Sequence, residues 1–260
     1  MNSFRYKMGY ALSGGFIKGF AHFGMIQSLM EHDIRPDIIS GTSAGALVGA
    51  ILADGREPYE ALAFFDNQSF GDFTSISLNR GGLLDLKNFK KFLRSIIRAK
   101  NIEDLKIPLI ITATDLDHGL SMHFKTGDIA ERVAASCCMP ILFTPINIDG
   151  VHYVDGGVLM NLPVSTLKTD CEKIIALSVS RLIADEYNMN VASIAIRSYN
   201  FIYQANSLPQ KANADLVIEP YGLEKFSNNE LEKADEIFKI GYDKANEILD
   251  ELIEDKGSII

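Results

Sequence analysis

Long apolar runs are missing from this 260-residue sequence. A membrane-spanning helix needs about 20 consecutive apolar residues. The best stretch, Ala44 to Ala53, falls well short and contains Gly45 and Gly49. No apolar segment of signal-peptide length precedes Ser13, so the expectation is a cytoplasmic protein. Cysteine is scarce, with only Cys137, Cys138 and Cys171. That set excludes a disulfide framework and a paired C-x-x-C zinc site, and reads as reduced, buried thiols. Positive charge is outnumbered: 25 Lys and Arg face 34 Asp and Glu, for a net charge of −9. Such a chain has no global attraction for nucleic acid or anionic lipid, so nucleic acid is not an expected partner. H-x-x-x-H, HExxH and EF-hand spacings are also absent, so no metal and no cofactor is expected. There is no repeat, low-complexity tract or linker. The reading is one domain over 1–260, with motifs in 8–170 and a C-terminal completion in 171–260.

What is present describes a packed globule. Apolar residues make up 47% and charged residues 23%, an ordinary balance for a folded chain. Apolar β-type runs alternate with helical stretches, which argues an α/β fold with a mainly parallel sheet. Strands are expected near Met8 to Ser13, Asp37 to Ser40, Leu109 to Thr114, Ser121 to Lys125, Val151 to Val154, Lys173 to Val179 and Asp215 to Glu219. Helices are expected near Gly19 to His32, Ala44 to Ala53, Pro58 to Asp66, Leu86 to Ala99, Ile129 to Cys137 and Glu230 to Leu252, with another between the last two strands. Asn67 to Gly82 is polar and glycine-rich and reads as a loop or flap.

Three motifs carry chemistry. Gly41-Thr42-Ser43-Ala44-Gly45 fits G-x-S-x-G between a short strand and an apolar helix. A serine on such a sharp turn is held exposed, and the flanking glycines avoid clashes. The pattern alone fits a plain strand–turn–helix equally well. Ser13 to Gly19, SGGFIKG, also joins a strand to a helix. Phe20 and Ala21 stand where a Walker A loop needs Lys and Ser or Thr, and Phe16 replaces the second glycine of a dinucleotide fingerprint. The remaining readings are a tight turn without a ligand, or an oxyanion hole formed by backbone N–H groups of Gly14, Gly15 and Phe16. Asp155 closes an apolar strand and is followed by Gly156 and Gly157. It is either a base held at a bare backbone or an ordinary Asp-Gly turn.

Together, in this order, the motifs resemble the patatin-like phospholipase family of serine lipid acyl hydrolases. ALSGGFIKGFAHFG from Ala11, GTSAGAL from Gly41 and VDGGVLMNLPV from Val154 carry the resemblance. RGGLLDLKNFKKFL, IPLIITATDL, ASCCMPILFTPI and ADLVIEPYGLEKF extend it over essentially the whole chain. It implies a three-layer α/β/α fold with a mainly parallel central sheet. It also implies a Ser–Asp dyad, with Ser43 as nucleophile and Asp155 as base. Gly14, Gly15 and Phe16 take the oxyanion-hole positions, with Lys18, Gly19, Gly41, Gly45, Gly156 and Gly157 as supporting motif residues. The family usually has glycine where this chain has Phe16.

A Ser–His–acid triad is the rival. An α/β-hydrolase places its histidine last in the chain, yet His22, His32, His118, His123 and His152 all lie at or before 152. His152 with Asp115 or Asp117 is the one triad left to test. The resemblance implies a hydrolase of fatty-acyl esters of (lyso)phospholipids or related lipids, acting through an acyl-serine. An acyltransferase using the same intermediate and a non-catalytic lipid-binding module are the alternatives. The expected partner is an acyl-ester lipid. The basic amphipathic stretch Lys87 to Lys100 is a candidate for transient membrane-surface contact, but the favoured reading packs its apolar residues on the core and leaves its basic face solvated. Phe70 and Phe73 make Asn67 to Gly82 a candidate lid or acyl-chain wall.

Overall fold

A computed structural model describes residues 4–77, 81–181, 189–227 and 230–256. In chain order its elements are β1 (Tyr6–Leu12), α1 (Phe20–Glu31), β2 (Ile38–Thr42), α2 (Ala44–Ala53), α3 (Pro58–Leu62), α4 (Phe70–Phe73), β3 (Ser75–Ile76) and β4 (Leu84–Asp85). They continue as α5 (Lys87–Ile96), β5 (Leu109–Asp115), β6 (Leu120–Phe124), α6 (Ile129–Ser136), β7 (Ile146–Ile148), β8 (Val151–Asp155), β9 (Cys171–Leu177), α7 (Val191–Lys211), β10 (Leu216–Ile218) and α8 (Ala234–Lys256).

Eight strands form one sheet in the order β10-β9-β1-β2-β5-β8-β7, with β6 also paired to β5. The five strands from β10 to β5 run parallel, while β6, β7 and β8 are antiparallel additions. The sequence runs explain the burial. Side chains alternate across a sheet, so a strand covered on both faces is apolar throughout. Tyr10, Leu12, Ile39, Ile111, Ile175 and Leu177 enter the larger core with α1, α2, α5, α6 and α8. Their neighbours Ala11, Ile38, Ile110, Ile174 and Ala176 enter a smaller core with Leu162, Val164 and Leu167.

The register on β5 positions the site. β6 pairs with residues 111–115 of β5 and fills one edge. On the other edge β2 pairs with residues 109–112 and β8 with residues 113–115. The two strands therefore abut end to end. Thr42 lies opposite Thr112, and Asp155 lies opposite the next residue, Ala113. The C-terminal ends of β2 and β8 meet there from opposite directions.

α1 crosses α8 through two glycines. A methyl group on Gly24 would overlap the Phe238 carbonyl oxygen, and one on Gly241 would overlap the Ala21 carbonyl oxygen. The helix backbones are therefore closer than any side chain would permit.

Several expectations change in detail. Asn67 to Gly82 is not a bare loop. It carries α4 and β3, which pairs with β4, although residues 78–80 lie outside the described residues. The Ser69 hydroxyl and the Asp72 carboxylate form a capping box that starts α4. α5 is shorter than Leu86 to Ala99, and its Phe89, Leu93 and Ile96 are buried. The apolar face of that basic helix thus packs inward, while Arg94 pairs with Asp128 and Arg98 with Asp54. β7 carries no sequence signal beyond three residues and forms by pairing with β8. Among the described residues no helix is long and apolar enough to cross a membrane.

Candidate active site

Ser43 stands alone between β2 and α2, with φ 53° and ψ −121°. A non-glycine residue with positive φ is strained by about 1–3 kcal/mol and persists where its surroundings over-determine it. Two glycines let the turn close. A methyl group on Gly41 would overlap the Gly45 carbonyl, and one on Gly45 would overlap the Leu12 carbonyl. The Ser43 N–H donates to Ser136 Oγ at 2.7 Å, and Ser136 Oγ–H donates to the Thr112 carbonyl at 2.6 Å. The N-terminus of α2 adds a partial positive charge at the serine.

Ser43 Oγ donates to Asp155 Oδ2 at 2.7 Å. The other carboxylate oxygen accepts from the Gly157 N–H at 2.8 Å, and the Asp155 carbonyl accepts from Thr114 Oγ1 at 3.0 Å. Asp155 is 1% exposed. Burial raises its pKa to about 6, against the opposing hydrogen bonds from Gly157 and Ser43. Tyr203, on α7, packs where any side chain on Gly157 would be. Its hydroxyl is buried without a hydrogen-bond partner, and burial beside Asp155 pushes its pKa well up. Sequence reasoning missed Tyr203 and Ser136. Tyr203 lies in none of the quoted segments and Ser136 is unmarked within ASCCMPILFTPI, so only the fold brings α7 and α6 against the dyad.

The glycine-rich turn lies beside the elbow. A Cβ on Gly14 would stand 3.1 Å from Ser43 Cβ, so glycine permits that approach. The Gly14 N–H, however, donates to the Asn161 carbonyl at 3.1 Å. The Gly14 N–H is thus engaged, and Gly15 and Phe16 follow it in the turn. Phe16 holds φ 53°, a conformation glycine adopts without strain. Gly19 abuts Ala44, and half-buried Lys18 follows the turn. His22, held neutral by burial with its pKa near 4, bonds the Ser13 carbonyl through Nε2 at 2.9 Å and secures the turn to α1.

The histidines do not assemble a triad. His152 is half-exposed and pairs with Asp117 at 3.1 Å, and His118 pairs with Asp115 at 2.9 Å. His123 contacts Thr112, and His32 contacts the Ser28 carbonyl. Cys138 and Cys171 are buried, and Cys137 is partly covered beside Ser43. Burial raises all three thiol pKa values, so they are protonated at neutral pH. Among the described residues no group of three His, Cys, Asp or Glu could hold a metal ion.

Ser43 opens into a cavity of about 830 Å³, counting its mouth. Its wall is built from phenylalanines, including Phe16 and Phe20 by the turn, Phe70 and Phe73 from α4, and Phe89 from α5. The segment read as a flap is thus one wall of this cavity.

A model of the patatin-like phospholipase family matches residues 10–168. The chain belongs to that family. It is 31% identical over 177 residues to an uncharacterized NTE family protein of Mycobacterium tuberculosis, covering 67% of this chain and 49% of that protein. It is 24% identical over 277 residues to the lysophospholipase NTE1 of Meyerozyma guilliermondii, covering 93% of this chain and 19% of that one. The patatin-like chain therefore spans about half the length of that mycobacterial relative and about a fifth of the yeast one. Among solved structures, VipD from Legionella pneumophila superposes with a TM-score of 0.53 at 18% identity, over 95% of this chain and 67% of that chain. That likeness shows the shared fold, a mainly parallel sheet flanked by helices.

Proposed function

We propose that this patatin-like protein is a serine esterase that cleaves fatty-acyl esters of (lyso)phospholipids or related lipids. The observation that carries the reading is the 2.7 Å bond from Ser43 Oγ to Asp155, at the mouth of an apolar cavity. The acyl tail occupies the phenylalanine-lined cavity, and the ester carbonyl oxygen faces the N–H groups of Gly15 and Phe16. Asp155 takes the Ser43 proton as Oγ attacks. Each backbone donor to the tetrahedral oxyanion contributes about 3 kcal/mol in comparable sites. The alcohol leaves with a proton from Asp155, and a water activated by the same carboxylate releases the fatty acid.

The test is hydrolysis of p-nitrophenyl esters from acetate to dodecanoate, with fluorophosphonate labelling located by peptide mass. Turnover with the label on Ser43 supports the reading. A folded protein that cleaves no ester and takes no label removes it. Added acceptor alcohol that diverts the acyl group into a new ester would identify a transferase.

Two smaller results are expected in the same assay. His152→Gln leaves kcat/KM within about twofold, since its partner is Asp117 and its side chain is half solvated. Leu47 on α2 lines the cavity. Leu47→Trp fills space there, so kcat/KM on the dodecanoate falls by about tenfold or more while the butyrate is kept within about threefold. An equal loss on both would place the tail elsewhere.

A further inference from the structure

α7 presses one tyrosine against the residue that holds the candidate base. Tyr203 is 3% exposed, and its ring stands over Gly157. A Cβ on Gly157 would lie 2.1 Å from Tyr203 Cε1 and 2.4 Å from Cζ, the carbon that bears the hydroxyl. The Gly157 N–H in turn donates to Asp155 Oδ1. Nearby contacts fix the ring in place. Asn206 Nδ2 donates to the Gly157 carbonyl at 2.7 Å, and Ser207 Oγ donates to the Tyr203 carbonyl at 2.7 Å. The Tyr199 ring centroid lies 4.4 Å from that of Tyr203.

The hydroxyl on this ring is buried and has no hydrogen-bond partner. An unpaired buried hydroxyl is costly and calls for a function, since phenylalanine would fill the same space without that cost. Burial first, and then the charge of Asp155, hold the phenol far above its ordinary pKa. It therefore keeps its proton and remains a donor.

In the resting site Asp155 Oδ2 accepts from Ser43 Oγ. Acylation changes that. Ser43 Oγ becomes an ester oxygen with no proton to give, and the departing alcohol carries away the proton that Asp155 took. The carboxylate is again ionised and buried, and is now short of one donor, a state that burial disfavours.

We infer that Tyr203 is a positioning residue of the acyl-enzyme, whose hydroxyl takes the place of Ser43 Oγ as hydrogen-bond donor to the Asp155 carboxylate. The inference rests on the serine-esterase reading above. Tyr203 transfers no proton. It holds Asp155 ionised and oriented for the water. The water gives one proton to Asp155 as its oxygen adds to the acyl carbonyl. That proton passes to Ser43 Oγ as the acyl–oxygen bond breaks and the fatty acid leaves. Among the described residues the other titratable groups at Asp155 are Cys137 and Cys138 at the end of α6 and Tyr199 on α7. Burial raises the pKa of each, so they stay neutral where Asp155 titrates, near pH 6.

The test is Tyr203→Phe on p-nitrophenyl butyrate, followed by stopped flow and by intact protein mass. Phenylalanine keeps the ring against Gly157 and deletes only the unpaired hydroxyl, so the melting temperature is held or rises. The first release of p-nitrophenol keeps its rate within about threefold, and the slower phase after it falls about tenfold or more. kcat and KM drop together, kcat/KM stays within about threefold, and acyl-protein accumulates. Loss of a donor to a carboxylate raises its pKa, so the acid limb of kcat moves up by about half a pH unit or more while that of kcat/KM stays. A merely structural role would move neither limb. Tyr199→Phe stays within about twofold, because the three atoms nearest the Gly157 position all belong to Tyr203. Unchanged deacylation in Tyr203→Phe overturns the inference and leaves the esterase reading standing. So does an equal loss in kcat and kcat/KM without acyl-protein, a sharp drop in melting temperature, or the same kinetic effect from Tyr199→Phe. A folded wild type that cleaves no ester and takes no fluorophosphonate label removes both.

Discussion

Asp155→Asn is expected to silence ester turnover while making the folded protein more stable at pH 8. The loss is about 10³-fold, within the range for removing a positioned general base. Asparagine has the same shape. Its oxygen still accepts from the Gly157 N–H, and its amide can donate to Ser43 Oγ, so the site stays assembled without a proton acceptor. The gain follows from proton linkage. Burial raises the Asp155 pKa from 3.8 to about 6 in the folded chain. Between those values the folded state holds the proton more tightly than the unfolded state. Wild-type stability therefore falls as pH rises from about 4 to about 6, and the deficit persists above that range. Asparagine does not titrate. Its advantage reaches at most about 3 kcal/mol at pH 8 and disappears below pH 4. Thermal melts at pH 4 and pH 8 check it, with a rise of roughly 5 °C or more expected only at the higher pH. Equal midpoints at pH 8 would show that the carboxylate is not strained by burial. Wild-type kcat/KM should in turn decline below about pH 6, with the loss of the ionised base.

Gly24→Ala is the second large effect, and it concerns stability. The added methyl would meet a backbone carbonyl of α8, which cannot swing aside as a side chain can. α1 and α8 must separate, leaving Phe23, Met25, Ile237 and Leu249, all fully buried, imperfectly packed. A loss of about 3 kcal/mol is expected, at the upper end for overpacking. Gly119→Ala is the control. That glycine has φ 69° but open space around it, so only backbone strain of about 1 kcal/mol applies. Urea midpoints with unchanged slopes would measure both. Similar midpoints for the two variants would mean that the crossing can widen freely. Because α1 begins just after the glycine-rich turn, Gly24→Ala should also lower turnover in the fraction that stays folded.

The sequence marks the candidate dyad more clearly than the residues that support it. Ala44 to Ala53 is the helix expected, residue for residue, because its ends are set by the elbow and by Gly55 beyond it. Ser43 and Asp155 stand out as candidates because Gly41 and Gly45 flank the serine and Gly156 and Gly157 follow the aspartate, all four where a side chain would clash. β7 and the β3–β4 pair were not legible, since two or three residues hold no period and form only when a partner strand is present. The engaged N–H of Gly14 was hidden for a similar reason: its acceptor, Asn161, lies far along the chain. α5 advertised its amphipathic pattern, whereas α7 has apolar residues on two sides, so its sequence periodicity does not mark the side that carries Tyr203.

The end-to-end meeting of β2 and β8 on one edge of β5 has a thermal consequence. The serine belongs to the parallel half of the sheet. The carboxylate arrives on β8, which with β7 forms an antiparallel flank joined to that half through three residues of β5. Local opening of this flank would draw the acid away from the serine while the parallel half stays folded. On gentle heating, catalytic power should fade reversibly before the circular dichroism of the whole sheet is lost.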